Sequence, residues 1–245
     1  MPFFSIITCT YNSATFIEDN LKSVKNQKYK NFEHIFIDGF SNDGTYEILK
    51  KYAEKEKNAK IIQVPANGIA NAMNIGIKNA SGDYLLFLNS DDFLSNNNAL
   101  QNVFNFIIKN KNYSWYYGIV NTINREKESL YFYPHKWYQK KYIYWLFRFI
   151  FFMQHPAVFY SKELFKKYGL YDESSNAMDY EYAVRIGKKE KAKFMDIVIS
   201  NFRIGGFSTT NTEAMEKEVV KIIKKYYKFP KLWLFVRKIY IKSFR

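Results

Sequence analysis

Short apolar runs that end in polar loops alternate with helical stripes through the first half of the chain. Phe3 to Cys9 reads as a strand, and Thr10-Tyr11-Asn12-Ser13 as a turn with Asn12 as candidate N-cap. The helix that follows places Ile17, Leu21 and Val24 on one stripe. Phe32 to Ile37 is a second strand closing on Asp38, and the next helix turns Tyr46, Leu49 and Tyr52/Ala53 inward. Lys60 to Val64 predicts a short strand, and Gly68 to Ala80 a helix with Ile69, Met73, Gly76/Ile77 and Ala80 inward. Tyr84 to Leu88 is nearly continuous apolar residue between turn-formers, the pattern of a strand buried on both faces. This alternation predicts an α/β fold, a mostly parallel central sheet flanked by helices.

Beyond Asp92 the spacing predicts a helix over Ala99 to Lys109, with Leu100, Val103, Phe104 and Ile107 as its core stripe, then a strand over Tyr113 to Ile123. The rhythm changes near Asn124. Gln154 to Phe159 is strand-like, Lys162 to Lys167 a short helix closed by Gly169, Asp179 to Lys189 a helix, and Phe194 to Phe202 a strand running into Arg203-Ile-Gly-Gly-Phe-Ser208. The expected organisation is one domain over residues 1–210, in halves of 1–123 and 124–210, and a basic amphipathic helical segment over 211–245.

With 245 residues the chain can bury a sizeable core. Its one cysteine, Cys9, lies in a strand pattern and rules out a disulfide framework, which fits a reducing, cytoplasmic compartment. The start, Met-Pro-Phe-Phe-Ser, lacks the basic region of a signal peptide. The run Tyr142 to Met153 is too short to span a bilayer and carries Arg148, so no membrane crossing is expected.

The net charge of +14 is unevenly placed: Lys217 to Arg245 holds ten Lys/Arg against one acid, Glu218. Ser129 to Lys162 has no acid and is dense in aromatic residues. Basic, aromatic surfaces suit nucleic acid or an anionic membrane face. No nucleic-acid recognition motif is visible, and such a module would leave the acidic clusters unexplained. Tyr131 to Met153 and Lys217 to Arg245, where rings and cations share a surface, predict a peripheral site on the inner membrane face. The alternative is that the two segments pack together as core.

Ligands of open α/β sheets sit at the carboxyl ends of strands, which is where Asn89, Ser90, Asp91 and Asp92 fall. Adjacent carboxylates repel, and a hard divalent ion such as Mg²⁺ or Mn²⁺ bridging a diphosphate would compensate them. A solvated turn capping the next helix is the other reading. Asp38 could accept from the N3–H of a uracil ring or stand in an Asx-turn. Asp179 could cap its helix or take a proton from an attacking hydroxyl.

Six segments, in order, resemble family 2 glycosyltransferases with the GT-A fold: Ser5 to Asn12, Ile37 to Thr45, Gly68 to Gly76, Gly82 to Asp92, His155 to Phe159, and Asp179 to Arg185. The resemblance implies an inverting, metal-dependent transfer from a nucleotide-diphosphate sugar, expected to be a UDP-sugar, to a lipid-linked or membrane-held glycan in surface polysaccharide synthesis. It implies that Thr10, Tyr11, Asn12, Asp38, Asn89 and Ser90 line the donor pocket and that Asp91, with Asp92, holds Mn²⁺ or Mg²⁺. Asp179 becomes the base, and His155, Arg185, Gly206 and Ser208 acceptor or diphosphate contacts. Asn89, Ala66, Met178 and Gly39 stand where relatives often carry acids. A nucleotidyltransferase using the same acids is the alternative, although its Gly-rich, cationic phosphate loop has no counterpart in Thr-Tyr-Asn-Ser.

Overall fold

The structure, a computed structural model, describes residues 3–134, 154–187, 189–206 and 212–242. Tyr142 to Met153 and Ser208 lie outside the described residues, as does Tyr131 to Met153 beyond position 134. The first half follows the predicted alternation: β1 (Phe4–Thr10), α1 (Ile17–Lys25), β2 (Phe32–Asp38), α2 (Thr45–Ala53), β3 (Ala59–Gln63), α3 (Ile69–Asn79) and β4 (Tyr84–Phe87). A two-residue strand β5 (Phe93–Leu94), helix α4 (Ala99–Lys109) and strands β6 (Trp115–Ile123) and β7 (Ser129–Tyr133) follow. The remainder supplies β8 (Val158–Ser161), α5 (Lys162–Tyr168), α6 (Met178–Gly187), β9 (Ala192–Arg203), α7 (Thr212–Tyr226) and α8 (Pro230–Lys242).

Among the described residues the strands form one sheet in the order β3-β2-β1-β4-β8-β6-β9-β5, with β7 on the edge of β6. β3, β2, β1 and β4 are mutually parallel, so their carboxyl ends share one rim. Antiparallel pairing enters where β8 meets β4 and β6, while β6 and β9 pair in parallel. The sheet thus crosses the position near Asn124 where the sequence rhythm changes.

Phe4, Ile6, Ile35, Phe36, Leu85, Leu86 and Phe87 have no exposed surface, as double-sided burial requires. One core layer packs Met73 and Ile77 of α3 and Tyr182 and Ile186 of α6 against Ile7, Ile35 and Phe87. Leu100, Val103 and Ile107 of α4 pack with Phe4 and Leu86 on the other face.

Three local expectations change. α1 begins at Ile17 with Phe16 before it and no side-chain cap, so Asn12 is not its N-cap. Ile69 is 45% exposed, whereas Ala70 and Asn74 complete the buried face of α3. His155-Pro156-Ala157 forms a single 3₁₀ turn ahead of β8, because the Pro156 ring fixes a helical φ and removes a ladder donor.

Candidate active site

Thr10 of β1 and Asp38 of β2 are paired in register, so the loops after them leave the sheet side by side. Asp38 Oδ1 accepts from Thr10 Oγ1 at 2.9 Å and Ser41 Oγ at 2.6 Å; Oδ2 accepts from Ser41 N at 3.1 Å and Gln63 Nε2 at 3.1 Å. Asp38 has no exposed surface. Four donors satisfy this carboxylate, so it organises its loop and leaves no open oxygen for a base. Above it Tyr11 and Phe40 are 62% and 57% exposed. A Cβ on Gly39 would lie 3.0 Å from the Tyr11 ring and 3.2 Å from Ala66, so glycine lets that ring settle on the loop. Phe40 sits at φ 57°, a left-handed conformation that is costly for an aromatic residue.

Asn12 stitches the two loops: its N–H donates to Ser41 Oγ and its Oδ1 accepts from Asn42 N, both at 3.0 Å. The N–H groups of Tyr11, Ser13 and Ala14 donate to Ser13 Oγ, Thr45 Oγ1 and Asp43 Oδ2. With these four consecutive amides committed to side chains, the turn offers no backbone cradle of the kind a phosphate-binding loop uses.

The turn after β4 separates the paired acids. Asp92 is fully buried; its Oδ1 accepts from Arg203 N at 2.9 Å and its Oδ2 from Asn89 Nδ2 at 2.8 Å. Burial, then the neighbouring Asp91 charge, pushes its carboxyl well above the usual range. Asp91 stays partly exposed, and burial raises it as well, partly offset by the Arg203 charge. A Cβ on Gly206 would lie 3.0 Å from Asp91 Oδ2, so glycine there lets the strand-end loop approach the carboxylate without displacing it. Ser90 is partly exposed in the same turn.

Oxygen ligands of this kind would fit a hard divalent ion, and of the pair Asp91 is the carboxylate that could reach one, Asp92 being tied inward. No group of three or more His, Cys, Asp or Glu residues gathers there among the described residues. Such an ion would draw most of its shell from diphosphate oxygens and water, as Mg²⁺-like ions do.

Asp179, in the first turn of α6, is partly exposed and accepts from Tyr180 N at 2.8 Å. Burial pushes its carboxyl up to about 7, which places a proton acceptor near neutrality. Its charge acts on the phenols of Tyr160 and Tyr171, and Tyr171 also feels Cys9 at the end of β1. Both rings pack on Phe87 of β4, at centroid separations of 6.3 and 5.3 Å.

Two expected ligand contacts serve the scaffold instead. His155 is buried, stacks on Phe87 at 4.7 Å and lies 2.9 Å from the Tyr171 hydroxyl; burial drives its imidazole down to about 3, leaving a neutral core ring. Arg185 donates to the Tyr168 and Leu170 carbonyls at 2.6 and 2.7 Å and to Glu181 at 2.9 Å, which fixes α6 to the loop before it.

Sequence reasoning passed over Arg203, which it named only as the end of a strand. The signal was there: two adjacent acids at a buried strand end require a cation nearby. Arg203 lies on the neighbouring sheet rim, beside the glycines.

The described rim thus carries a partly exposed carboxylate, Asp91, beside a glycine turn, and the start of α6 carries a raised carboxyl, Asp179. The family model described as Glycosyl transferase family 2 matches residues 5–169, and the chain belongs to that family. An uncharacterised glycosyltransferase of Haemophilus influenzae is 41% identical over 111 residues, 45% of this chain and 44% of that protein. The putative teichuronic acid biosynthesis glycosyltransferase TuaG of Bacillus subtilis is 38% identical over 92 residues, 37% of this chain and 36% of that one. These alignments therefore span less than half of either relative.

Among solved structures, residues 1–349 of Staphylococcus aureus TarS in complex with UDP-GlcNAc superpose with a TM-score of 0.74 at 21% identity, covering 91% of this chain and 66% of that one. The mannosyltransferase PcManGT of Pyrobaculum calidifontis, in complex with GDP-Man and Mn²⁺, gives 0.68 at 19% identity, covering 91% and 64%. At these identities the likeness establishes the shared fold.

Proposed function

We propose that the chain is an inverting glycosyltransferase that moves a sugar from a UDP-sugar to an acceptor hydroxyl, with a divalent ion held at Asp91. The observation that carries this reading is the division within the acid pair. Asp92 is consumed by internal hydrogen bonds, while Asp91 stays partly exposed, its Oδ2 beside Gly206. The UDP-GlcNAc complex of TarS and the Mn²⁺ complex of PcManGT support the donor and the ion. Committed amides in the Tyr11 to Ala14 turn count against a nucleotidyltransferase.

In this reading the base lies over the ends of β1 and β2 beside Tyr11 and Phe40, and Asp38 acts through Ser41, Gln63 and Thr10. Asn89 and Ser90 line the donor's nucleotide beside the ion. When bound, Mg²⁺ or Mn²⁺ supplies charge neutralisation to the departing diphosphate. Asp179 takes the acceptor O–H proton as the new glycosidic bond forms on the face opposite the breaking bond to diphosphate. A carboxyl near 7 is matched to that transfer at neutral pH.

The acceptor is a membrane-held glycan, reached by a peripheral enzyme on the cytoplasmic face. The support is α8 and the residues leading into it: Phe229, Leu232 and Phe235 are 62%, 55% and 61% exposed among exposed Lys228, Lys231 and Lys238. Rings and cations on one face suit an anionic bilayer surface. No helix of the described residues is long and apolar enough to cross a membrane.

Thermal-shift measurements with UDP, GDP, CDP and dTDP, each with and without Mn²⁺, test the reading. UDP with Mn²⁺ is expected to raise the melting temperature most, because a ligand bound only by the folded state stabilises it. No response to any of these nucleotides would sink it.

A further inference from the structure

We infer that Arg203 is the positioning residue of the ion site. Its contacts hold the Asp91–Asp92 turn in the shape that turns Asp91 outward, and they join that turn to α1 and to the tip between β6 and β7. The inference rests on the proposed function in taking Asp91 as the ion's ligand and UDP as the nucleotide bound with it.

Arg203 is 3% exposed, and its contacts go to four segments. Its backbone N–H donates to Asp92 Oδ1 at 2.9 Å and its Nε to the Asp91 carbonyl at 3.2 Å, so one residue grips both acids. Nη1 donates to the Arg125 carbonyl at 3.1 Å in the β6–β7 tip. Nη2 meets Asp19 Oδ2 of α1 at 2.8 Å. The guanidinium lies over the Phe16 ring at 4.6 Å and the Phe93 ring at 5.8 Å, faces that favour a cation. Asp19 in turn pairs with Lys127 of the same tip at 2.6 Å. Asn20, next to Asp19, donates to the Asn89 and Asp92 carbonyls at 2.9 and 3.2 Å, so α1 grips the turn from a second side.

Nε, Nη1 and Nη2 each take one of three acceptors that lie in different directions, which a planar fork spans and a lysine ammonium would have to reach from a single nitrogen. The ionic link to Asp19 fixes the fork from behind, leaving the Asp91 carboxylate outward. A ligand held by one protein carboxylate depends on that carboxylate's orientation more than a full cage would.

Electrostatics and positioning predict opposite signs. A cation this close to Asp91 repels a metal ion, so if charge alone mattered its removal would tighten binding. If positioning dominates, removal loosens the Asp91 backbone and weakens binding. Mn²⁺ affinity in the presence of UDP, read by electron paramagnetic resonance of free Mn²⁺, distinguishes them. Arg203→Gln and Arg203→Lys are both expected to weaken Mn²⁺ about tenfold or more. Asp19→Asn, which keeps the Arg203 charge and removes its anchor, is expected to weaken it in the same direction by a smaller factor.

Melting temperatures without ligand are recorded alongside. A lower melting temperature with unchanged Mn²⁺ affinity in all three variants would make Arg203 a fold-stabilising residue only and overturn the inference. Tighter Mn²⁺ binding in Arg203→Gln would overturn it in favour of charge alone. Wild-type protein that binds UDP without taking up Mn²⁺ would overturn the ion site itself, and this inference with it. Should Arg203→Gln fail to fold, Asp19→Asn decides alone by the same readout.

Discussion

The Tyr226 hydroxyl donates to the buried carboxylate of Glu181, tying the last turn of α7 to the helix that begins beside Asp179. Around this link Val219, Ile222, Ile223 and Tyr227 pack on Ala177, Tyr180 and Val184. Helix α7 is therefore a wall of the site's scaffold, although its sequence is basic and amphipathic. Removing the donor leaves a buried carboxylate with one partner fewer, a loss of about 1–3 kcal/mol. Tyr226→Phe is expected to lower the melting temperature and kcat while leaving UDP affinity unchanged. Calorimetry with steady-state kinetics checks it.

The Asp179 carboxyl, raised from its ordinary 3.8 to about 7, gives a pH prediction with a definite sign. Between these values the folded protein keeps a proton that the unfolded chain has lost, so this group's contribution to stability falls as pH rises through that window. Activity moves the other way, rising with pH through about 7 as the base is freed. Asp179→Asn is expected to cut kcat by roughly 10²-fold or more, to bind UDP normally, and to melt no lower than wild type at pH 8. Lost UDP binding would assign Asp179 to the scaffold.

Asp91→Ala removes the outward carboxylate and no core packing. It is expected to abolish Mn²⁺-dependent UDP binding and transfer, with the unliganded stability within about 1 kcal/mol of wild type. Asp92→Asn, by contrast, is expected to perturb stability, since Asp92 accepts from Asn89 and Arg203 inside the turn.

Phe40 offers a separation of strain from binding. Glycine at φ 57° relieves the left-handed conformation and removes the exposed ring. Phe40→Gly is expected to hold or raise stability by up to about 1 kcal/mol and to weaken UDP by roughly 2–10-fold, the range of one aromatic contact. Equal UDP affinity would remove Phe40 from the base site.

For the membrane, replacing Phe229, Leu232 and Phe235 together with Ser is expected to abolish sedimentation with anionic liposomes while leaving UDP binding intact, since all three side chains are exposed. Full-length protein that remains in the supernatant at low salt would point to a soluble acceptor.

The parts legible in the sequence were those written locally. β4 and its acids are an apolar run that ends in carboxylates, and α1, α3 and α4 are stripes at helical spacing. What could not be read depends on distant partners. Asp38 is saturated by donors from β1, its own loop and β3, and no local pattern distinguishes that from an open carboxylate. Arg203 meets Asp19 across 184 positions. The apolar stripe of α7 looks the same whether it faces lipid or α6, and here it faces α6, while exposed rings flank and line α8.

The stitching of residues 11–14 to residues 41–45 has a consequence for anyone who would redirect donor choice. Each loop supplies the hydrogen-bond acceptors or donors that shape the other, so neither is an independent cassette. A donor-swapping graft from another transferase should carry both loops across as one unit. Single-loop grafts would inherit mismatched amides at Asn12, Ser13 and Ala14, and paired substitutions across the two loops should show strong non-additivity.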